Sequence, residues 1–417
     1  MNNMIYESRR NKLLDMMQDN SIAIITSGKL YTSTNDQNFP YEVERNFFYF
    51  TGLQFPGMKL IFIKSQRKTG VSLSIPRGDP SKEKWTGHIP TKNECSLISG
   101  IDTDEIVYKD EYNELISSYV NLGVEYCYLY TDKLESPNIH TERNTILAGF
   151  SRRFQLVKIL DLDTLTIPMR SVKDEHELNE MKQAIHVTKL AIEEMVRNIK
   201  PGMKEYEAQA IFEYVLKKNK CGLAFATISA SGKNAVTLHY ISNDDDMNDN
   251  ELLLFDCGGS YNWYNADVTR TVPVNGKFTE RQLEIYNIVL KANKEVINAA
   301  KPGLTIMQLN EIVKNIFSDE LQRIGLITSS DEVTKYYFHS VSHSLGLDTH
   351  DVFDRDKKLV AGNVITVEPG LYISEYGIGI RIEDDVLITE NGCDVLTKDI
   401  IKEPEEIEEF MQDWCIK

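Results

Sequence analysis

Three of the chain's eight histidines fall in one short stretch, Phe338 to Val352, which reads FHSVSHSLGLDTHDV. The small residues between His339, His343 and His350 would let their rings crowd around a common point. The competing reading is a chance cluster on a wet surface. Four acids indicate what such a point could be. Asp256 closes the apolar run LLLF, and Asp267 opens VTRTV eleven residues later. Glu368 follows VITV, and Glu383 lies in IRIEDDV. A carboxylate at the end of an apolar strand is costly unless it is paired, protonated or bound to a metal. Asp244–Asp246, in NDDDMNDN, reads instead as a solvated turn. Four carboxylates with one imidazole suit a pair of divalent cations, two acids bridging and the others terminal. So oxygen-rich a set favours Mn2+, with Co2+, Fe2+ or Zn2+ as alternatives. Two metals about 3.5 Å apart lower the pKa of a bridging water and hold a nucleophilic hydroxide. That chemistry is hydrolysis.

The elements that would hold these groups form a repeat. Residues 194–202 read EMVRNIKPG and residues 295–303 read EVINAAKPG. Each ends a long helix and precedes a second amphipathic one, EYEAQAIFEYVLKK or IMQLNEIVKNIFSDELQ. Each half then turns β-rich: ELLLFDCGG and NADVTRTV in the first, NVITVEPGLY and GIGIRIEDDVLIT in the second. KPG alone is a common helix stop, but the shared order of helix, KPG, helix and strand pair reads as duplication. Two such α/β halves predict packing about an approximate two-fold axis, their strands meeting in one curved sheet. A hairpin through GGSYNWYN would set Asp256 and Asp267 across from each other.

The upstream part reads as a smaller mixed α/β domain. A helix carries Leu13, Leu14, Met16 and Met17, and strands follow at SIAIIT, NFFYFTG, KLIFIK and VSLSIP. A helix around NELISSYV, a strand EYCYLY and a helix through RNTILAGFSRRF complete it. ILDLDTLTIPMRSVK reads as a linker, because Pro168 breaks structure. The next helix is expected near Ser171, with Ser171 and Asp174 as its capping pair. The boundary therefore falls near residue 170, giving domains 1–170 and 171–417. Near the C-terminus, Ile407, Phe410, Met411 and Trp414 share one helix face and read as packing.

Composition narrows the function classes. A chain of 417 residues predicts two domains. Its formal net charge of −17 would repel phosphate backbones, which argues against nucleic acid and anionic membranes as partners. No run of about 18 apolar residues occurs, and MNNMIYESRRNKLLDMM lacks a signal core. The six cysteines, at 95, 127, 221, 257, 393 and 415, form no CxxC pair and read as reduced cytoplasmic thiols.

DCGGSYNWYNADVTRT, SHSLGLDTHDV, TVEPGLY and GIRIEDD, in that order, resemble the metal-site motifs of the pita-bread metallopeptidases. That group includes methionine aminopeptidase, prolidase and aminopeptidase P. ERNFFYFTG resembles the first domain of aminopeptidase P and prolidase, which methionine aminopeptidase lacks. The likeness spans nearly the whole chain and is greatest to the bacterial Xaa-Pro aminopeptidases, the aminopeptidase P family.

The resemblance implies a C-terminal pita-bread fold and five ligands. Asp256 would bind one metal, Asp267 and Glu383 would bridge both, and His343 and Glu368 would complete the other. Glu368 would also take the proton from the attacking water. His239, in TLHY, and His350 would contact substrate and steady the tetrahedral intermediate, and His339 would line the pocket near the proline. A packing role for His339 competes with that. Arg381, on the strand face of Glu383, would orient it and stand on the substrate side, with Tyr372 a further substrate-side candidate. His88, His140, His176 and His186 read as surface residues. Ser340 and Ser260 depart from the family pattern without removing a ligand.

The implied activity is hydrolysis of the N-terminal Xaa-Pro bond of proline-containing peptides through a metal-bridging hydroxide. A prolidase restricted to dipeptides is the alternative. A non-catalytic peptide-binding module and a metal-free creatinase-type hydrolase are disfavoured by the filled ligand positions. The family also implies a homo-oligomer, dimer or tetramer, in which N-terminal domains wall the neighbour's site. Asp36 and Trp85 match loop positions of that kind, with ordinary loop packing as the other reading.

Overall fold

The computed structural model describes residues 3–130 and 142–412. The chain divides into two compact units, Met1–Pro168 and Met169–Lys417.

The N-terminal unit is built on a six-stranded mixed sheet. Its order is Ile106–Tyr108, Thr69–Ile75, Lys59–Lys64, Ser21–Thr26, Tyr126–Leu129 and Lys158–Asp161. Ile22, Ile24, Ile61 and Ile63 pack on one face against Ile116, Tyr119 and Phe150 of the helices Tyr112–Val120 and Glu142–Arg153. Two expectations are corrected here. NFFYFTG is not a strand: Arg45–Thr51 is a helix, buried from Asn46 to Thr51. Glu44 caps it by accepting the Phe47 N–H at 2.8 Å, and Gly52 closes it at φ 67°. A short apolar run does not distinguish a buried strand from a buried helix; here the cap and the left-handed glycine decide. The supposed linker is the strand Lys158–Asp161 followed by the helix Asp163–Ser171, with Pro168 inside it. Proline removes one backbone donor, and the turn before it is held by Thr166 N–H on Leu162 C=O at 3.1 Å.

In the C-terminal unit the first long helix runs Glu175–Asn198. Its capping box pairs Asp174 with Glu177, not with Ser171, which ends the preceding helix. After each KPG comes the expected second helix, Glu205–Lys218 in the first half and Ile306–Arg323 in the second. The paired helix of the second half, Glu280–Ala299, starts from a Thr279–Gln282 capping box. These helices cover curved antiparallel ladders: Leu252–Cys257 lies between Ile228–Ser231 and Val268–Pro273. In the second half, Val364–Val367 pairs with Asp384–Ile388, and Gly370–Ile373 with Ile378–Arg381. The ladders stay separate instead of merging into one sheet. The halves join where Glu383 N–H donates to Thr269 C=O at 3.1 Å and Arg381 N–H to Thr271 Oγ1 at 3.2 Å.

In the helix Pro404–Gln412, Ile407 and Met411 are buried, as a packing face requires; Trp414 lies outside the described residues, as do His140 and Cys415. His88 and His186 are exposed, but His176 is only half-buried and stands edge-on to Tyr264 at 6.4 Å, so it is not a free surface residue. Trp85 sits on the helix Pro80–Thr86 and not in a loop. Among the described residues, no helix is long and apolar enough to cross a membrane.

Candidate metal centre

The first two acids come from one β-excursion. Asp256 lies in Leu252–Cys257, and the chain returns through Gly259–Tyr261 and Tyr264–Asn265 before Val268–Pro273. Asn262 and Trp263 make the tight turn with φ of 47° and 69°. A Cβ at Gly258 would stand 1.9 Å from the Ala266 carbonyl oxygen, so only glycine lets the two arms close. The residue across from Asp256 is Thr269, not Asp267 as expected; Asp267 lies two positions along, a diagonal neighbour. That offset leaves Thr269 free to serve the second pair of acids.

Glu368 and Glu383 fall in the gap between two ladders of continuous register, Val367↔Asp384 and Gly370↔Arg381, which sets them across from each other. His343 arrives beside them because its segment runs along Val364–Val367. Thr366 N–H donates to His343 C=O at 2.9 Å, and Glu368 N–H to Val341 C=O at 2.9 Å.

The side chains converge. Asp267, His343 and Glu383 each offer one donor atom within 4.8 Å of the others. His343 Nε2 is 3.4 Å from Asp267 Oδ2 and 3.5 Å from Glu368 Oε1. Arg381 Nη2 donates to Asp256 Oδ2 at 2.5 Å, and Asp256 Oδ1 is buried with no hydrogen-bond partner among the described residues. Thr269 Oγ1 donates to Glu383 Oε2 at 2.6 Å and accepts from Arg381 Nε at 3.0 Å. Arg381 thus holds Asp256 directly and reaches the Glu383 carboxylate only through Thr269.

Electrostatics show what the cluster lacks. Burial, with the charge of Asp256 adding to it against the pull of His343, pushes Asp267 up to about 6. Burial pushes Glu368 up to about 7, with Asp267 and Asp256 adding to it and His343 and Arg381 opposing. Glu383 is raised well above the usual carboxylate range, by burial and then by the charges of Asp267 and Glu368. The next residue behaves oppositely. Against its burial, the charges of Arg270 and Lys402 hold Asp384 down at about 2. Its contacts are Arg270 Nη2 at 2.9 Å and Lys402 Nζ at 2.6 Å. Of these five acids Asp384 alone is matched by two protein cations, whereas Asp256, Asp267, Glu368 and Glu383 share only Arg381 and His343. An unmatched buried carboxylate costs several kcal/mol. Divalent cations supply the missing charge, and the orphaned Asp256 Oδ1 supplies a donor, so the set fits them.

His343 Nδ1 contacts the Ser344 carbonyl oxygen at 3.1 Å and must donate to it, which leaves Nε2 to face the carboxylates. His339 Nδ1 likewise donates to Ser340 C=O at 2.8 Å. Its Nε2 then accepts from the Tyr372 hydroxyl at 2.9 Å, and Arg381 Nη1 donates to that hydroxyl at 2.9 Å. Tyr372, expected on the substrate side, is 2% exposed and supports His339 from behind instead. Burial holds His339 at about 4, and burial with the charge of His343 holds His350 at about 4, so both rings are neutral near pH 7. His350 stacks on His343 with ring centroids 4.0 Å apart.

Asp256, Asp267, His339, His343, His350, Glu368, Arg381 and Glu383 border one cavity of about 560 Å³, with the exposed His239 also on its wall; Thr269, Tyr372 and Asp384 stand behind it. A model of metallopeptidase family M24 matches residues 179–390, and one of the aminopeptidase P N-terminal domain matches residues 6–128. The chain belongs to metallopeptidase family M24. Over 97% of both chains it is 33% identical to the Xaa-Pro aminopeptidase of Escherichia coli strain K12. It superposes on aminopeptidase P from E. coli with the inhibitor Pro-Leu at a TM-score of 0.92, with 31% identity and full coverage of both chains. A zinc-substituted form of the E. coli enzyme with product gives 0.90, at 31% identity over 99% of each chain. The M24 motifs miss part of this cavity's wall. Phe225, Leu238, Ile241 and Arg355 also border it. Leu238 and Ile241 flank His239 in the chain, whereas Phe225 and Arg355 have no partner motif and are brought to the site by the fold.

Proposed function

We propose that the chain is a metal-dependent aminopeptidase that hydrolyses the bond between an N-terminal residue and a following proline. The observation that carries this is the convergence of Asp256, Asp267, His343, Glu368 and Glu383 on one cavity, four carboxylates against only Arg381 and His343 as facing protein cations. The names of the relatives support the substrate class. In this reading Asp256, Asp267, His343, Glu368 and Glu383 would hold two divalent cations. The oxygen-rich set favours Mn2+. When bound, such ions acidify water and polarise a carbonyl at neutral pH.

The chain's own residues do the rest. Glu368 takes a proton from the attacking water and passes it toward the departing proline nitrogen. His239 and His350 donate hydrogen bonds to the substrate as its carbonyl carbon becomes tetrahedral. The His339 ring, locked by Tyr372, gives the proline a rigid wall. Arg381 keeps Asp256 in place and, through Thr269, Glu383. The enzyme is read as a cytoplasmic homo-oligomer, a reading supported by the thiols of Cys95, Cys127, Cys221, Cys257 and Cys393, unpaired among the described residues, and by Trp85, which is 89% exposed. The test is release of alanine from Ala-Pro-Ala by the purified protein. It should stop on chelation and return with Mn2+; undiminished release from thoroughly metal-stripped protein would overturn the proposal.

A further inference from the structure

Glu205 is an acid in an unusual place. It opens the helix Glu205–Lys218, is fully buried, and has no ion-pair partner among the described residues. Its charge is held by five donated hydrogen bonds. Oε1 accepts from Ser231 N–H at 2.6 Å, Ser231 Oγ at 2.8 Å and Asn234 Nδ2 at 3.1 Å. Oε2 accepts from the Tyr240 hydroxyl at 2.8 Å and Asp245 N–H at 3.0 Å. These donors flank one loop on both sides. Between them the chain carries Leu238, His239 and Ile241 to the cavity. Hydrogen bonds to an ionised acceptor are about twice as strong as neutral ones, so one carboxylate ties together both sides of a loop whose own bonds run among Asn234, Tyr240, Asp244 and Asp245. One turn further on, Gln209 Oε1 accepts from Asn243 Nδ2 at 2.8 Å, and Asn243 bonds back to Thr227 C=O at 2.8 Å and Ser229 N–H at 3.0 Å.

The second repeat uses the same position. Asn310 lies nine residues after Lys301, as Gln209 lies nine after Lys200. Asn310 Oδ1 accepts from the Tyr337 hydroxyl at 2.5 Å and Val341 N–H at 3.1 Å, on either side of His339. In each half, the helix after KPG therefore clamps the segment that brings a histidine to the cavity.

We propose that Glu205 is a positioning residue for His239, acting through Tyr240 and the flanking loop. The proposal rests on the role given to His239 in peptide hydrolysis. Its reach is local: it sets where the imidazole stands and leaves the metal ligands untouched.

Tyr240→Phe is the sharpest variant, since it keeps the ring and deletes only the hydroxyl, whose shortest contact is Glu205 at 2.8 Å and which also meets Asn234 Nδ2 at 3.1 Å and Asp244 Oδ1 at 3.2 Å. Glu205→Gln is the second; its amide would set a donor against at least one of the five donors. Both are assayed with Mn2+-loaded protein on Ala-Pro-Ala, alone and combined with His239→Ala. We expect each to lower kcat/KM by about tenfold, mostly in kcat, with metal content unchanged. In the His239→Ala background the same change should cost less than about twofold, because coupled residues do not add. An equal cost with and without His239, or no cost for Tyr240→Phe, would overturn the proposal. Hydrogen exchange supplies a readout that does not need turnover. The amides of residues 237–242 should exchange faster in both variants, and unchanged exchange in Tyr240→Phe contradicts the clamp. If the wild-type protein does not cleave Ala-Pro-Ala, the hydrolytic reading fails while exchange still decides whether Glu205 orders the loop.

Discussion

His343 Nε2 faces Asp267 Oδ2 at 3.4 Å, and the other ring nitrogen is committed to the Ser344 carbonyl. A proton and a metal ion therefore compete for one nitrogen. Against its burial, the hydrogen bond it donates to Asp267 and the charges of Asp267 and Glu368 hold the imidazole at about 9.

The first prediction concerns pH. Asp267 at about 6, Glu368 at about 7 and His343 at about 9 all hold protons at pH 5. All three lie above their unfolded values. In metal-free protein their contribution to stability is therefore present at low pH and lost as pH rises through about 6 to 9. A cation must displace those protons. Mn2+ binding should release protons and weaken by at least about tenfold from pH 8 to pH 5.5. Calorimetric titration of metal-stripped protein in buffers of different ionisation enthalpy checks this; a pH-independent affinity contradicts it.

Glu368 and His343 should fail differently. Glu368→Gln keeps the shape and removes the base, so kcat should fall by roughly 10²-fold or more at saturating Mn2+. His343→Ala deletes the only nitrogen of the set, so metal occupancy should fall first and activity with it. Turnover at each Mn2+ concentration, alongside bound metal per chain, separates the two. Wild-type turnover in Glu368→Gln removes that residue from the mechanism.

Much of this site was legible in the sequence because acids at the ends of VITV and LLLF have no cheap alternative to pairing or metal. Spacing also gave the duplication, since KPG and the helices around it recur in order. The register was less legible: GGSYNWYN announced a hairpin but not where its turn falls, and Asp256 faces Thr269 instead of Asp267. NFFYFTG misled because an apolar run of that length suits either a buried strand or a buried helix. Arg355 and the Glu205 clamp were invisible for a different reason. Arg355 stands in a loop without periodicity, the partners of Glu205 lie 26 to 40 residues away, and burial of an acid at a helix start resembles an ordinary exposed cap.

Arg381 makes a test of support at a distance from the chemistry. Arg381→Lys keeps a positive charge but cannot serve Asp256, Thr269 and Tyr372 together, because the planar fork is lost. Metal affinity should weaken by about 10- to 100-fold, the usual effect of removing a residue that orients ligands. Thr269→Val should act in the same direction and less strongly. Unchanged affinity in Arg381→Lys would show that the carboxylates hold their places unaided.

Arg355 is exposed and borders the cavity, placed where a substrate's distal carboxylate could meet it. Arg355→Ala should raise KM severalfold for Ala-Pro-Ala with a free C-terminus, by about 1 kcal/mol at such an exposed site. It should leave the amidated peptide nearly unchanged. Equal effects on the two peptides would exclude a carboxylate contact.

A length series tests the central claim most directly. A dipeptidase must close the site beyond proline and capture a free carboxylate, whereas an aminopeptidase must leave an exit there. The measurement is kcat/KM for cleavage of Ala-Pro, Ala-Pro-Ala and Ala-Pro-Ala-Ala by Mn2+-loaded protein, with the corresponding Ala-Ala-Ala as control. The aminopeptidase reading predicts cleavage at the Ala-Pro bond in all three proline peptides, with values for the longer two at least equal to that for Ala-Pro, and little turnover of the control. Turnover of Ala-Pro alone would contradict it and make the protein a dipeptidase.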